Sequence, residues 1–500
     1  MEKSLKELLL HIDELSSKHI IGILGLGYIL IVSLFSVRAH YTFYTNCWDL
    51  GIYSQALYST IKHGKLFFYT AELHGNPSGS LFGIHFTPIL FFLTPVYALF
   101  SNSITLLVLR PVIISSGLIP LYLIAKRNGI DEKSIVLFAF IYLIYLPVLF
   151  PFYNFDVEVF LLPLFFMYLY FLDKKDFKKS YILVVLSLMV NEFVPLITIT
   201  MPFYIVISNR ENIIESLRRR ESNVYLIFSV LLVLSSIIWF QLATHVISSF
   251  NPTAFDTKWE WGELGSGPFE IVKTLVFEPW KGLRNLSYDF PKKIFYLITL
   301  FAPVAFLPVL EPLPLIMAIP WIASSMFSVN PQYYSLETQY PSFFTAFIFY
   351  STVKAYGKLN LILKSFGNVD TQKIITVILL GLNLIMVISL IPIFSPKTDL
   401  IHMSRQDSIV HGFLKEIPED SSISVMPEIF PHVCNRLEAY PYYVEGTDYV
   451  LINQDSWWYT VILPRPAHLA GTWENAKISE EYKVILREER VFLMQHVSID

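Results

Sequence analysis

Long apolar stretches alternate with short polar stretches from residue 20 to residue 394. Several of them contain roughly 17–25 residues, which is enough for a helix to cross the hydrocarbon core of a bilayer. Counting shorter segments and paired arms as well, the pattern predicts about eleven transmembrane helices. The predicted spans are Ile20–Val37, Ile104–Ala125, Ser134–Phe150, Val159–Leu172, two arms within Tyr181–Ser208, Tyr225–Ile247, Ile294–Val309, Pro314–Phe327, Ser342–Val353 and Ile374–Phe394.

Two long segments between the predicted spans are expected to form outer loops, at residues 38–103 and 248–292. Within the first loop, the stretch Pro88–Phe100 is apolar, but its length of about 13 residues is short for a crossing. Pro88 and Pro95 also interrupt it. The sequence therefore predicts a re-entrant or interfacial helix here rather than a further span.

The sequence changes character after residue 394. Apolar runs of about four residues alternate with polar and proline-containing stretches, a pattern typical of short strands. The runs begin at Ile423, Tyr449, Val484 and Val491, and His402–Glu416 is predicted to be a helix. We therefore divide the chain into a transmembrane domain, residues 1–394, and a small α/β domain outside the membrane, residues 395–500.

The composition agrees with a membrane protein. Hydrophobic residues make up 54% of the 500 residues and charged residues only 16%, whereas soluble domains contain about 25% charged residues. The net charge of −4 gives no indication of nucleic-acid binding. The two cysteines, Cys47 and Cys434, match no metal or redox motif, and no nucleotide-binding loop is present.

The distribution of lysine and arginine predicts the orientation. Short loops that are rich in these residues remain on the cytoplasmic side. The basic segments around Lys126, Lys174, Arg218 and Lys354 fall on one side of the predicted topology, whereas the loops 151–158 and 329–340 contain neither residue type. We therefore expect a plasma-membrane protein whose N-terminus is cytoplasmic and whose C-terminal domain is extracytoplasmic.

Four carboxylates from three separate loops fall together on the predicted outer face: Asp49, Asp156, Glu158 and Glu192. Ionisable residues at or inside the membrane are costly and are functional candidates for that reason. Converging carboxylates suit either proton abstraction from a hydroxyl or coordination of a divalent metal such as Mg²⁺ or Mn²⁺, with Asp49, Asp156 and Glu158 as ligands. Further candidates for substrate or phosphate contacts are Trp48, Gln55, His63, His85, Arg110, Arg284, Tyr333 and Tyr334.

Structural roles are alternatives for several of these residues. Asp49 and Asp156 precede predicted helices, where aspartate commonly caps the first turn. Arg110 has the length to reach lipid headgroups from within its span. Trp259, Trp261 and Trp280 are typical of the aromatic belt at a membrane interface.

Several motifs resemble a family of archaeal and bacterial membrane proteins that carries the domain-of-unknown-function number 2079. The resemblance spans nearly the whole chain. It rests on Trp-Asp-Leu-Gly-Ile-Tyr-Ser-Gln-Ala-Leu at 48–57, His63-Gly64, His-Phe-Thr-Pro-Ile at 85–89, Asn-Glu-Phe-Val-Pro at 191–195, and Pro431-His432 with Arg436. The order of spans and loops is also similar to that of the GT-C superfamily of membrane glycosyltransferases.

The GT-C resemblance implies specific roles. Asp49 would be the first-loop catalytic acid, Asp156 or Glu158 the second acidic position, and Glu192 the polar residue at the tip of a hairpin. The sequence His85-Phe-Thr-Pro88 has one residue more and one proline fewer than the His-Pro-Pro motif of that superfamily. The first-loop acid is a single aspartate after a tryptophan rather than an acidic pair.

The first hypothesis is therefore a glycosyltransferase that moves a sugar from a polyprenyl-phosphate donor to a glycan, lipid or protein acceptor of the cell envelope. A transporter with the boundary carboxylates as ion or proton sites is an alternative. The sequence has no internal repeat of the kind common in transporters. A second alternative is an assembly factor without catalytic activity, whose outer domain binds an envelope partner.

Overall fold

The computed structural model describes residues 16–150, 152–255, 260–265, 267–365, 371–394, 402–456 and 481–497. Residues 1–15, Trp259 and the predicted domain boundary at residue 395 lie outside these ranges. Up to residue 394 the regular elements of the described chain are helices joined by loops, and after residue 402 it contains a small β-sheet.

Within the described ranges, three helices are long and apolar enough to cross a membrane: Ser17–Tyr41, Ser103–Arg127 and Val224–Phe250. The second consists of two helices in line, Ser103–Ser116 and Leu118–Arg127, which meet at Gly117. These three correspond to predicted spans. The predicted span Ile374–Phe394 also lies within one continuous helix, Thr371–Phe394. Most of the other apolar segments form shorter or broken helices, so the total of eleven spans stays a prediction.

The other helices follow the apolar segments, with breaks at prolines and polar pairs. The predicted hairpin Tyr181–Ser208 is split into three pieces, and the polar pair Asn191-Glu192 lies in the first break. The described part of the predicted loop 248–292 contains the α-helices Pro268–Phe277 and Pro279–Ser287. The helices are Ile52–His63, Leu90–Leu99, Glu132–Ile144, Leu146–Leu149, Leu161–Asp173, Phe177–Leu188, Val194–Thr198, Met201–Ser208, Arg210–Arg219, Pro268–Phe277, Pro279–Ser287, Phe290–Phe301, Ile319–Phe327, Thr345–Ser365, Thr371–Phe394 and Arg405–Lys415.

The apolar stretch at Pro88–Phe100 forms the short helix Leu90–Leu99. The backbone N–H of Ile89 donates to the carbonyl of Met189 at 2.9 Å, which fixes the start of this helix to the break in the 177–208 hairpin. Phe91 and Phe92 are 52% and 57% exposed. The helix is thus held at one end by the protein, while bulky apolar side chains project from its surface.

The described C-terminal residues form one mixed five-stranded sheet with strand order β2-β1-β3-β5-β4. The central strand β3 pairs in parallel with β1 and antiparallel with β5. The strands are β1 Ile423–Val425, β2 Ala439–Tyr440, β3 Tyr449–Asn453, β4 Tyr482–Glu488 and β5 Val491–His496. Four of the five begin within two residues of the predicted apolar runs, and β2 was not predicted.

The sheet domain is attached to the first of the two long loops, residues 38–103, rather than separate from it. Phe43 and Cys47 of that loop belong to the same hydrophobic core as the sheet. Gln55 is fully buried, and its amide donates to the carbonyls of Arg436 and Ala439 at 3.0 and 3.2 Å. Its Oε1 accepts from the backbone N–H of Thr70 at 2.9 Å. The C-terminal domain therefore lies on the same side of the helical bundle as the first loop.

Replacing Gln55 by leucine is expected to weaken this attachment. The substitution removes the partners of several buried backbone groups, and each unsatisfied buried group costs about 1–3 kcal/mol. Hydrogen exchange followed by mass spectrometry should show faster exchange in residues 402–456. Gln332 is exposed, so Gln332→Leu serves as the control. Unchanged exchange in Gln55→Leu would contradict the attachment.

Candidate active site

Asp49 lies in a tight turn, residues Cys47–Gly51, which we call the Asp49 turn. Its backbone has φ 55° and ψ −74°, a sparsely populated conformation for any residue other than glycine. The following helix begins at Ile52 without a side-chain cap, so Asp49 does not cap it. Strained backbone of this kind often occurs at functional sites, where the surroundings hold it in place.

Asn154 ties the Asp49 turn to the second acidic loop. Its amide Nδ2 donates to Asp49 Oδ2 at 2.9 Å. Its Oδ1 accepts from the backbone N–H of Leu50 at 3.0 Å and from that of Phe155 at 2.9 Å. One asparagine side chain therefore fixes the orientation of the Asp49 carboxylate and joins two loops that are far apart in sequence.

Two further bridges complete a closed ring of loops. Asn191 Nδ2 donates to Glu158 Oε1 at 2.8 Å, which connects the second loop to the hairpin break. Glu192 Oε1 lies 2.8 Å from His85 Nδ1, and Glu192 Oε2 accepts from the backbone N–H of Phe86 at 3.2 Å. The hairpin break is thus connected back to the first loop, and the four predicted carboxylates all belong to this three-loop ring.

Arg110 approaches the ring from the helix Ser103–Ser116. The side chain is 1% exposed, and its Nε lies 3.2 Å from Asp156 Oδ2. Its Nη2 donates to the carbonyl of Val148 at 3.3 Å. The arginine predicted to contact phosphate or headgroups is therefore buried and paired with one of the predicted carboxylates.

Three buried polar atoms of this region have no hydrogen-bond partner among the described residues: Glu158 Oε2, Asp156 Oδ1 and Arg110 Nη1. A buried polar atom without a partner costs about 1–3 kcal/mol. Atoms of this kind are candidates for contact with a bound molecule, because a ligand or water would supply the missing hydrogen bonds.

The environment of Asp49 suits proton transfer. The side chain is half-buried. Burial raises the pKa of its carboxyl to about 7, and the neighbouring Asp156 carboxylate adds to this rise, whereas the hydrogen bond from Asn154 opposes it. A general base is most effective when its pKa lies near the working pH. Asp49 meets that condition.

His85 is the cationic group of the ring. Burial lowers the pKa of its imidazole, but the carboxylate of Glu192 and the hydrogen bond to it outweigh this effect and raise the pKa to about 9. The imidazole is therefore protonated at neutral pH and forms a charged pair with Glu192. It supplies a positive charge that acts on the carboxylates of Glu192, Glu158 and Asp49.

Tyr53 is a member of the site that sequence reasoning missed. It is 5% exposed, and its ring contacts Phe155 edge-on with the centroids 5.7 Å apart. Burial, followed by the carboxylates of Glu158 and Asp49, raises its pKa well above the usual value. The hydroxyl thus keeps its proton and is able to donate a hydrogen bond. Its position four residues after Asp49 is the only sequence signal.

The ring asparagines were also missed as site residues. Asn154 lies two residues before the predicted acid Asp156, and Asn191 directly precedes the predicted acid Glu192. That adjacency was the available signal, but the direction of the two amides depends on how the loops pack. Sequence alone did not distinguish them from ordinary loop asparagines.

The predicted metal site formed by Asp49, Asp156 and Glu158 stays a prediction. The described parts of the chain contain no group of three or more His, Cys, Asp or Glu side chains arranged to hold a metal ion. Asp49, Asp156 and Glu158 each receive a hydrogen bond from a protein donor: Asn154, Arg110 and Asn191, respectively. These hydrogen bonds leave Asp156 Oδ1 and Glu158 Oε2 without a partner among the described residues.

The other predicted contact residues lie in various places. Trp48 is next to Asp49 and 41% exposed. His63 is exposed at the end of its helix. Arg284 is exposed and pairs with Glu263 at 2.9 Å. Tyr333 is stacked against Tyr340 with centroids 4.8 Å apart, and Tyr334 donates to Asp289 at 3.4 Å.

The chain resembles a known protein family in sequence and a solved structure in fold. Residues 39–486 match the family described as "Predicted membrane protein (DUF2079)". No curated protein matches the chain in sequence. Among solved structures, the chain resembles the crystal structure of ArnT from Cupriavidus metallidurans bound to undecaprenyl phosphate. The identity is 12%, the TM-score is 0.52, and the match covers 95% of this chain and 98% of ArnT.

ArnT is a GT-C glycosyltransferase. At this low identity the likeness shows a shared fold and carries no residue roles. The GT-C-like layout predicted from the order of spans and loops is confirmed at the level of the fold.

Proposed function

The chain belongs to the DUF2079 family of predicted membrane proteins, and we propose that it is a GT-C-type membrane glycosyltransferase. The donor is a sugar linked to a polyprenyl phosphate, and the acceptor is a glycan, lipid or protein of the cell envelope. The reaction takes place on the outer face of the plasma membrane, on the same side as the C-terminal domain. The N-terminus lies on the cytoplasmic side.

The observation that carries this proposal is the Asp49 carboxylate. It lies in a strained turn, is fixed by Asn154 at 2.9 Å, and has a pKa raised to about 7. It also occupies the first outer loop of a helical fold shared with ArnT, whose structure contains undecaprenyl phosphate. A fixed base with a near-neutral pKa suits the activation of a hydroxyl group.

The proposed reaction is a transfer of the sugar from one oxygen to another. Asp49 accepts the proton of the acceptor hydroxyl as that oxygen bonds to the anomeric carbon. The bond between the anomeric carbon and the phosphate oxygen breaks, and polyprenyl phosphate leaves with the bonding electrons. Protonated His85 and the Tyr53 hydroxyl would stabilise the charge that develops on the phosphate.

The proposal is tested by analysing the lipids and glycans of cells that produce this protein. Cells with the wild-type gene, with Asp49→Asn, or without the gene are compared by mass spectrometry of polyprenyl lipids and envelope glycans. A polyprenyl-phosphate sugar should accumulate in the second and third strains, and one glycan should lose that sugar. Identical profiles in all three strains would overturn the proposal. Coupled ion or proton flux in proteoliposomes, sensitive to Asp49→Asn, would favour the transporter instead.

The rate of transfer is expected to fall as the pH decreases below about 7. The pKa of Asp49 is raised to about 7, so acid protonates it and removes the base, with a tenfold loss for each further pH unit. The measurement is kcat/KM against pH in detergent-solubilised protein. A constant rate down to pH 5 would contradict Asp49 as the base.

A further inference from the structure

The C-terminal domain contacts the Asp49 turn directly. Phe430, from the 3-10 turn Phe430–His432, lies against Gly51, the last residue of the Asp49 turn. A Cβ atom placed on Gly51 would be 2.6 Å from Phe430 Cδ1 and 3.0 Å from Cε1. The ring therefore packs on the bare backbone of Gly51, and only glycine fits beneath it without displacement.

The Phe430 ring is itself firmly held. It is fully buried in the C-terminal core, together with Cys47 of the Asp49 turn. The next residue, Pro431, accepts a hydrogen bond from Ser103 Oγ at 2.7 Å. These contacts connect the C-terminal domain to both the first loop and the span that follows it, so the ring has little freedom to move away from Gly51.

His432, two residues after Phe430, contacts the end of the first span. Its ring stacks on that of His40 with centroids 3.8 Å apart and an interplanar angle of 11°. Its Nε2 lies 3.0 Å from the carbonyl oxygen of His40, at the end of the first span. The Phe430–His432 turn is thus fixed at the point where the first span leads into the Asp49 turn.

The backbone of Asp49 needs such support. Its φ of 55° with ψ of −74° costs of the order of 1–3 kcal/mol and persists only where the surroundings hold it. Asn154 holds the side of the turn that faces the second loop. Phe430 lies against Gly51, the last residue of the turn.

We propose that the C-terminal domain is an integral part of the active site, in which Phe430 is a positioning residue that holds the Asp49 turn in its strained conformation. The catalytic meaning of this role rests on the proposed function. The structural role does not, because it concerns only the conformation and surroundings of Asp49. Through this positioning role the C-terminal domain acts as part of the active site and not as a separate binding module.

The test measures the titration of Asp49 without any substrate. A hydrophobic carbodiimide modifies protonated, buried carboxyls, and mass spectrometry of the full-length protein's peptides reports modification of Asp49 against pH. Phe430→Ala should loosen the turn and admit water. The labelling midpoint should then move from about 7 toward the ordinary aspartate value, by about one pH unit or more. The charges acting on Asp49, from Asp156, His85 and Glu72, are left unchanged.

Two matched variants separate positioning from general damage. Phe413 is buried in the same C-terminal core, so Phe413→Ala weakens the domain without removing the ring from Gly51. Phe430→Leu keeps much of the apolar volume and should preserve most of the wild-type midpoint. An equal shift in Phe413→Ala and Phe430→Ala, or no shift in either, would overturn the proposal.

A size exchange provides an independent check. Gly51→Ala places a methyl group against the Phe430 ring and should shift the midpoint by itself. In Gly51→Ala/Phe430→Leu the smaller side chain leaves room for that methyl group, so the double variant should lie closer to wild type than Gly51→Ala does. Additive shifts in the double variant would contradict direct contact. If Asp49→Asn leaves sugar transfer unchanged while these midpoints shift as expected, the proposed function fails and the positioning role stands.

Discussion

Replacement of Asp49 by asparagine is expected to lower the rate of sugar transfer about 10²–10⁴-fold, the range typical for loss of a general base. Asparagine has nearly the same size and still accepts a hydrogen bond from Asn154, so the turn should keep its shape. It cannot accept a proton at neutral pH. The loss should therefore appear in kcat, with a much smaller effect on KM.

The stability of the same variant distinguishes lost chemistry from lost structure. The pKa of Asp49 is raised from 3.8 to about 7 in the folded protein, so the free energy of unfolding decreases as the pH rises between these two values, and the full cost is present at pH 8. Asp49→Asn removes that effect, and the unfolding temperature at pH 8 should be equal to or higher than that of the wild type. A lower unfolding temperature together with reduced transfer would assign Asp49 a structural role.

Glu263→Gln serves as the control for the transfer assay. Glu263 is paired with Arg284 at 2.9 Å, and both side chains are more than half exposed. An ion pair of this kind contributes about 0–1 kcal/mol. Transfer by Glu263→Gln should therefore match that of the wild type, and a comparable loss in both variants would show that the assay does not report on Asp49.

The second large effect is expected for Arg110→Leu, as a loss of stability. The substitution leaves Asp156, which is completely buried, without its guanidinium partner. Removing one member of a buried ion pair typically costs about 3–5 kcal/mol. The free energy of unfolding, measured by denaturant titration in mixed micelles at pH 8, should fall by about that amount.

A double variant tests whether the unpaired charge causes the loss. In Arg110→Leu/Asp156→Leu no charge remains unpaired, and apolar replacement of a buried pair is often neutral for stability. The double variant should recover most of the lost free energy. Arg284→Leu, which removes an exposed arginine from its ion pair, should cost no more than about 1 kcal/mol. A double variant as unstable as Arg110→Leu would show that packing, and not charge, is responsible.

Much of the local structure was predictable from the pattern of apolar residues. The helices Ser17–Tyr41, Ser103–Arg127 and Val224–Phe250 match three predicted spans, because long apolar runs are buried as helices in a membrane. The short helix Leu90–Leu99 was predicted from the length of its apolar run. Four of the five strands were predicted from runs of four apolar residues. The missed strand, Ala439–Tyr440, has two residues and no such run.

The structure also brings the predicted carboxylates close together in space. Asp49, Asp156, Glu158 and Glu192 were selected because charges are costly at a membrane boundary, and the structure brings their three loops into one ring. Their catalytic roles stay predictions. The prediction for Arg110 did not include its partner, because the direction in which a buried arginine points depends on the neighbouring helices.

The sequence by itself determined the class of protein, the main helices and strands, and the acidic residues that deserve testing, since each of these follows from local composition and spacing. Only the tertiary structure decided which groups meet. The bridge from Asn154 to Asp49 joins residues that are 105 positions apart, and Gln55 binds a carbonyl 381 positions away. Such contacts depend on how the spans pack, and neither apolar periodicity nor residue spacing encodes that packing. The strained turn at Asp49 has the same origin, because its conformation is held by Asn154 and Phe430 from distant parts of the chain.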